Sequence, residues 1–123
     1  MMRLVCCSLL LVVASAVQAA SAPTNFPDGS ADVAPDALKA AIAGKVFSVQ
    51  PADGPQWRWQ FRDNGYFFIN IGSFSDSGKW GVKDSSLCSE GHKIAASCNA
   101  VREKDGTLYL KRDSGEVVKM VAQ

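Results

Sequence analysis

The chain has 123 residues, of which 13 are lysine or arginine and 12 are aspartate or glutamate. This length supports one domain of modest core size. The near balance of charge gives no long-range attraction to a polyanion, which argues against a nucleic-acid partner.

The N-terminus has the three parts of a secretory signal peptide. Arg3 follows two methionines, residues 4–17 are almost wholly apolar, and small residues stand at Val17 and Ala19. The apolar run is shorter than the roughly 20 residues that cross a bilayer as a helix. We therefore predict a signal peptide over residues 1–19, cleaved after Ala19. Its removal leaves 12 basic and 12 acidic residues, without a stable membrane anchor.

Residues 20–34 are rich in Ser, Ala, Pro, Asp and Gly and lack an apolar period, which predicts a flexible lead-in. Pro35 and Asp36 favour the first turn of a helix, and Gly44 favours its C-terminal end. Leu38, Ala41 and Ile42 share one face, so a short helix is expected to plug or flank the sheet.

From Lys45 onward the apolar period is two, which indicates strands. Residues 57–61 alternate aromatic with polar side chains, and Asn64–Gly65 predicts a tight hairpin to a second strand over residues 66–71. That second strand is apolar on both faces, so we expect it to be central or covered by a helix on one side. Residues 72–78 are interpreted as a polar loop around Phe74.

Further strands are predicted over residues 79–82, 87–88, 97–102, 107–111 and 117–121, with turns at 105–106 and 113–115. The fold class is therefore mainly β: a small antiparallel barrel or curled meander of seven or eight strands with one short N-terminal helix. Residues 35–123 form this domain.

Cysteine usage agrees with export. Cys6 and Cys7 lie in the predicted signal peptide, so the mature domain keeps Cys88 and Cys98. Two cysteines ten positions apart in an oxidising compartment most simply form one disulfide. A redox-active pair would need closer spacing and a helix N-terminus, and neither is visible.

No catalytic or metal-binding constellation outweighs a structural interpretation. His92 is the single histidine, and its pairing with Glu90 is weak as a metal site. Asp76 lies in a predicted loop that is long enough for a site, although turn formation explains this residue better. Phe74 lies in the same polar loop, where an exposed ring is a reasonable contact residue. We predict binding residues Phe74, Asp76 and His92, no catalytic residue and no cofactor.

The aromatic residues between positions 57 and 80 allow two interpretations. In one they form the core of a small β domain, which the alternation of Trp57, Trp59 and Phe61 favours. In the other some of them line a barrel mouth for sugars, peptide or a lipid-like ligand.

The pattern Gly78-Lys79-Trp80-Gly81-Val82, followed by Leu87-Cys88, Cys98-x-x-Val101-Arg102 and Gly106-x-Leu108-Tyr109, resembles small exported bacterial β domains of unknown function. The resemblance implies a periplasmic or secreted barrel-like domain and supports the Cys88–Cys98 pair. It implies no activity.

Three functions follow as hypotheses. The first is a non-enzymatic periplasmic or secreted module, like inhibitors and immunity proteins, that presents loops 72–77 and 90–96 to an envelope or secreted protein or a small ligand. The second is a lipocalin-like carrier of a small molecule. The third is a small enzyme that uses Asp76 or His92. A filled barrel interior would favour the loop-presenting module, and a hollow interior would favour the carrier.

Overall fold

The computed structural model describes residues 22–123, so the predicted signal peptide lies outside the described residues. One helix and nine strands follow in chain order: β1 (Ala31–Asp32), α1 (Pro35–Ile42), β2 (Val46–Val49), β3 (Trp57–Phe61), β4 (Tyr66–Ile71), β5 (Phe74–Lys83), β6 (Ser86–Gly91), β7 (Ser97–Lys104), β8 (Thr107–Lys111) and β9 (Val117–Ala122).

Strands β2 to β9 form an antiparallel meander, each paired with the next in the chain. The last strand returns to the first, where Phe47 pairs with Ala122 and Ser48 with Val121. This pairing closes an eight-stranded barrel and leaves no free edge between β2 and β9. The predicted mainly β barrel with one short helix is confirmed.

Helix α1 closes one end of the barrel. Pro35 is in its first turn, and Leu38 and Ile42 on its inner face are fully buried. The same end holds the hairpin turns at 62–65, 84–85 and 105–106. Asp105 and Gly106 have φ of 52° and 80°, the left-handed conformation that a two-residue hairpin turn requires. We call the opposite end of the barrel the mouth.

The segment expected to be a flexible lead-in lies in part against the outside of the barrel. Strand β1 pairs with Arg102 and Glu103 of β7, and Val33 is buried. The Phe26 ring lies under the Arg102 guanidinium, with 4.9 Å between its centroid and Cζ. The Val117 amide donates to the carbonyl of Pro23. The composition alone gave no indication of these contacts.

The core is aromatic along β3 and aliphatic around it. Trp59 and Phe61 have ring centroids 4.7 Å apart, and Trp80 packs edge-on against Phe61 at 5.4 Å. The alternation that predicted a buried face for Trp57, Trp59 and Phe61 is confirmed, although Trp57 is only half-buried. The helix end of the interior is filled by these rings with Met120, Leu87 and Val101.

Strand β4 is central, as one of the two expectations for it had it, since it pairs with β3 on one side and β5 on the other. The alternative, a covering helix, is not what is found: Tyr66 and Phe68 on its outer side are 48% and 38% exposed among the described residues. Helix α1 lies at the end of the barrel because the chain between Gly44 and β2 is too short to carry it across the sheet face.

Candidate functional site

The mouth of the barrel opens into a cavity of about 260 Å³. Its walls are mostly apolar and come from β3, β4, β8 and the loop before β7: Trp57, Trp59, Phe67, Ile69, Ile71, Leu110 and Ile94. Its rim is polar: Ser89, Ser97, Asn99, Arg112, Asp113 and Ser114. The interior is therefore filled toward the helix and hollow toward the mouth. We call this space the cup.

The cup exists because the inward positions change in size along the strands. Toward the helix, β6 and β7 contribute Leu87 and Val101, both buried. Toward the mouth, the inward positions of the same strands carry Ser89, Ser97 and Asn99. Small polar side chains opposite the tryptophans of β3 leave space that larger residues would occupy.

Most of the polar side chains of the rim have partners in the protein. Asn99 donates to the Asp113 carboxylate at 2.9 Å and accepts from the Ser97 hydroxyl at 3.2 Å. The Arg112 guanidinium lies 4.9 Å from the centre of the Trp57 ring and pairs with Glu116 at 2.5 Å. The rim is thus held in place without a ligand.

Unlike most polar groups of the rim, the indole N–H of Trp59 has no hydrogen-bond partner within the described residues. Trp59 lines the cup and is only 7% exposed. The indole N–H of Trp80, by contrast, donates to the Arg62 carbonyl at 2.8 Å. A buried donor without an acceptor costs about 1–3 kcal/mol, so such groups are few in folded proteins, and the described residues hold one other, the Ser30 hydroxyl.

Phe74 and Asp76 do not lie in a loop, which corrects the prediction of a polar loop over residues 72–78. Residues 72–73 make a tight turn, and β5 begins at Phe74. Phe74 pairs with Ile71 at the mouth and is 39% exposed, with the Lys93 ammonium 5.2 Å from its ring centre. The sequence did not predict this part of the strand, because residues 75–77 are polar and show no apolar alternation.

Asp76 is buried and holds the loop between β6 and β7. One carboxylate oxygen accepts from the backbone N–H groups of Lys93 and Ile94, at 3.1 and 2.9 Å. Desolvation by burial raises the pKa of Asp76, but the backbone donors together outweigh it and the net pKa lies below the usual 3.8. Asp76 therefore positions Ile94, a wall residue of the cup.

His92 lies in the same loop, and its backbone N–H donates to the Ser77 carbonyl. Its exposed side chain makes no hydrogen bond or ion pair with the described residues. Phe74, Asp76 and His92 are thus brought to one side of the mouth by β5 and the loop it anchors. The polar rim was not predicted as part of a site. Trp59 belonged only to the alternative interpretation in which some of the aromatic residues line a barrel mouth.

The disulfide between Cys88 and Cys98 is present, with an S–S distance of 2.06 Å. The two residues are directly opposed on β6 and β7, on the outer side of the sheet. The bond is consistent with an oxidising compartment.

No helix among residues 22–123 is long and apolar enough to cross a membrane. Within the same residues, no group of three or more His, Cys, Asp and Glu side chains is placed to share a metal ion.

Comparison with protein-family models, with curated proteins and with solved structures finds no match to this chain. The resemblance to exported bacterial β domains therefore stays a prediction, and function has to be argued from the geometry.

Proposed function

We propose that this protein binds one small, largely apolar molecule in the cup, in an oxidising compartment outside the cytoplasm. The observation that carries the proposal is a hollow barrel mouth lined by aromatic residues, among them Trp59, whose buried N–H has no partner within the described residues. Small-molecule sites are typically concave and apolar, with a few polar groups that fix orientation. Of the three hypotheses from the sequence, this supports the carrier.

The size and chemistry of the cup define the ligand class. An apolar cavity of about 150 Å³ accommodates benzene, so about 260 Å³ accommodates a single ring with a short substituent. The free indole N–H calls for a hydrogen-bond acceptor on that substituent. Arg112 is paired with Glu116, and Asp113 accepts a hydrogen bond from Asn99, so neither side chain calls for a charged group on the ligand.

The other two hypotheses receive less support. The loop-presenting module relied on two loops, and most of the first, residues 72–77, belongs to β5, while residues 92–96 of the second remain a loop. The enzyme relied on Asp76 or His92. The Asp76 carboxylate is engaged by backbone donors, which suits an anchoring role better than proton transfer.

A matched pair of probes tests the proposal. Acetophenone and ethylbenzene have nearly the same shape, but only acetophenone carries an acceptor. We expect both to bind, with acetophenone favoured about fivefold or more, because one hydrogen bond to a buried donor contributes about 1 kcal/mol. Isothermal titration calorimetry measures both affinities, and native mass spectrometry of the freshly purified protein shows any retained ligand.

The indole resonances locate the site. In a ¹⁵N-correlated NMR spectrum, acetophenone should shift the N–H of Trp59 and leave that of Trp80 in place, because Trp80 already has a partner outside the cup. Trp59→Phe should remove the preference for acetophenone while retaining ethylbenzene. Absence of binding by either probe at millimolar concentration, in protein that gives a folded spectrum, would refute the proposal.

A further inference from the structure

The outer side of strands β3, β4 and β5 forms a second surface, distinct from the cup. Its central row, on β4, carries the two exposed rings of Tyr66 and Phe68. The register places polar and basic side chains on both sides of that row. We define the surface by nine outward residues, of which Arg62 directly follows β3: Arg58, Gln60, Arg62, Tyr66, Phe68, Asn70, Ser75, Ser77 and Lys79. We call this surface the β3–β5 face.

The face is basic although the domain is neutral. It has three cations and no carboxylate among its nine residues, while residues 22–123 hold 12 basic and 12 acidic residues. Lys93 adds a further cation beside Ser75, whose carbonyl its ammonium contacts at 3.0 Å. Three acids adjoin the face: Asp63 in the turn after β3, Glu90 opposite Lys79 on β6, and Asp76, whose side chain is buried.

The two arginines of the face lack carboxylate partners within the described residues. The described chain has four arginines, and the two outside the face have carboxylate partners: Arg102 pairs with Asp32, and Arg112 with Glu116. Neither Arg58 nor Arg62 has a carboxylate within 4 Å in the described residues. The Arg62 guanidinium instead stacks on the Phe68 ring, with 4.9 Å between Cζ and the ring centre.

The dimensions of the face favour a narrow ligand. Three strands about 4.8 Å apart and five residues at about 3.4 Å each give roughly 14 by 17 Å, or about 250 Å². A stable protein interface buries about 800 Å² on each partner. The ladder hydrogen bonds of a closed barrel are also used internally, so a peptide cannot add as an extra strand.

We propose that the β3–β5 face binds an acidic polysaccharide, laid along β4. Tyr66 and Phe68 offer ring faces for stacking on sugar rings. Gln60, Asn70 and the serines of β5 can both donate to and accept from hydroxyl groups. Arg58, Arg62 and Lys79 flank the row on both sides and match carboxylates on the chain.

Polygalacturonate and its fully methyl-esterified form test this directly, since they share a backbone and differ in charge. We expect polygalacturonate to bind the protein at least tenfold more tightly in calorimetry, and the difference to shrink as salt is raised. Polyglutamate and a 20-residue oligothymidine carry negative charge without sugar carboxylates. They should bind at least tenfold more weakly than polygalacturonate.

The double variant Arg58→Gln/Arg62→Gln should weaken polygalacturonate binding about tenfold or more. The control variant Lys39→Gln/Lys111→Gln makes the same change in net charge at exposed positions elsewhere. It should change the affinity for polygalacturonate by less than twofold. Acetophenone binding in the cup reports that each variant is folded and is independent of this face. The proposal is wrong if polygalacturonate does not bind. It is also wrong if polyglutamate or oligothymidine binds as tightly as polygalacturonate, or if both double variants lose affinity equally.

Discussion

Gly78 and Gly81 lie on the same strand and make a matched pair for testing how closely the barrel is packed. Gly78 is opposite Gly91 on β6. A methyl group on Gly78 would lie 2.7 Å from the Gly91 Cα and 2.8 Å from the Glu90 carbonyl carbon, and closer still to the Glu90 oxygen. Favourable carbon–carbon contacts lie at about 3.5–4.0 Å. Strands β5 and β6 would have to separate by nearly 1 Å, because the obstacle is backbone and no rotamer change relieves it.

The cost of Gly78→Ala follows from that separation. Overpacking in a well-packed region costs about 1–3 kcal/mol, and each ladder hydrogen bond lost adds about 0.5–1.5 kcal/mol. We expect a loss of about 3 kcal/mol in the free energy of unfolding, or roughly 15 °C in Tm for a domain of this size. Gly81→Ala should change stability by less than about 0.5 kcal/mol, since its added methyl group meets nothing within 4 Å.

Equilibrium denaturation in urea, followed by tryptophan fluorescence, measures both variants. Trp80 lies between the two glycines and is buried, so it reports local as well as global unfolding. Equal midpoints for Gly78→Ala and Gly81→Ala would show that β5 and β6 are not as close at Gly78 as the structure has them.

Three further outcomes are expected. Replacing Cys88 and Cys98 together by serine should lower the free energy of unfolding by up to about 3 kcal/mol in the chain-entropy view, and a reductant should then have no further effect on Tm. Asp76 has a lowered pKa in the folded state, so its ionised form stabilises the fold above the unfolded-state pKa and that contribution is lost as the pH falls through the folded-state pKa. The stability advantage of the wild type over Asp76→Asn should therefore decline between about pH 5 and about pH 2, and an advantage that is constant with pH would contradict this. Leu38→Ala in the plugging helix should cost about 2–5 kcal/mol by calorimetry, whereas Lys39→Ala beside it should cost little.

Local signals in the sequence predicted the elements that have strong periods or turn residues. Pro35 and Gly44 bracket the helix, which ends at Ile42. The alternation that begins at Trp57 matches β3 up to Phe61, and Arg62, which continues the alternation, lies in the turn that follows. Thr107–Lys111 has the same bounds as predicted. These elements are determined by neighbours in sequence, so the chain alone was sufficient.

Other features depend on partners that are distant in the chain. The first part of β5 is polar, and it is a strand because Ile71 and Ile69 pair with it. Strand β6 begins at Ser86 and does not reach Arg102 and Glu103 of β7. Strand β1 pairs with these two residues instead. The cup depends on which inward side chains meet across the barrel, and no local pattern near Trp59 indicates that Ser97 and Asn99 lie opposite.

The helix that closes one end of the barrel has a kinetic consequence. A molecule in the cup must leave by the route through which it arrived, since the far end is sealed by Leu38 and Ile42. Loading and release then share one barrier at the mouth, set by the β6–β7 loop that Asp76 tethers. A change that loosens this tether should speed both steps together. On the proposed carrier function, the barrel would store or hand over its ligand and would not pass it from one end to the other.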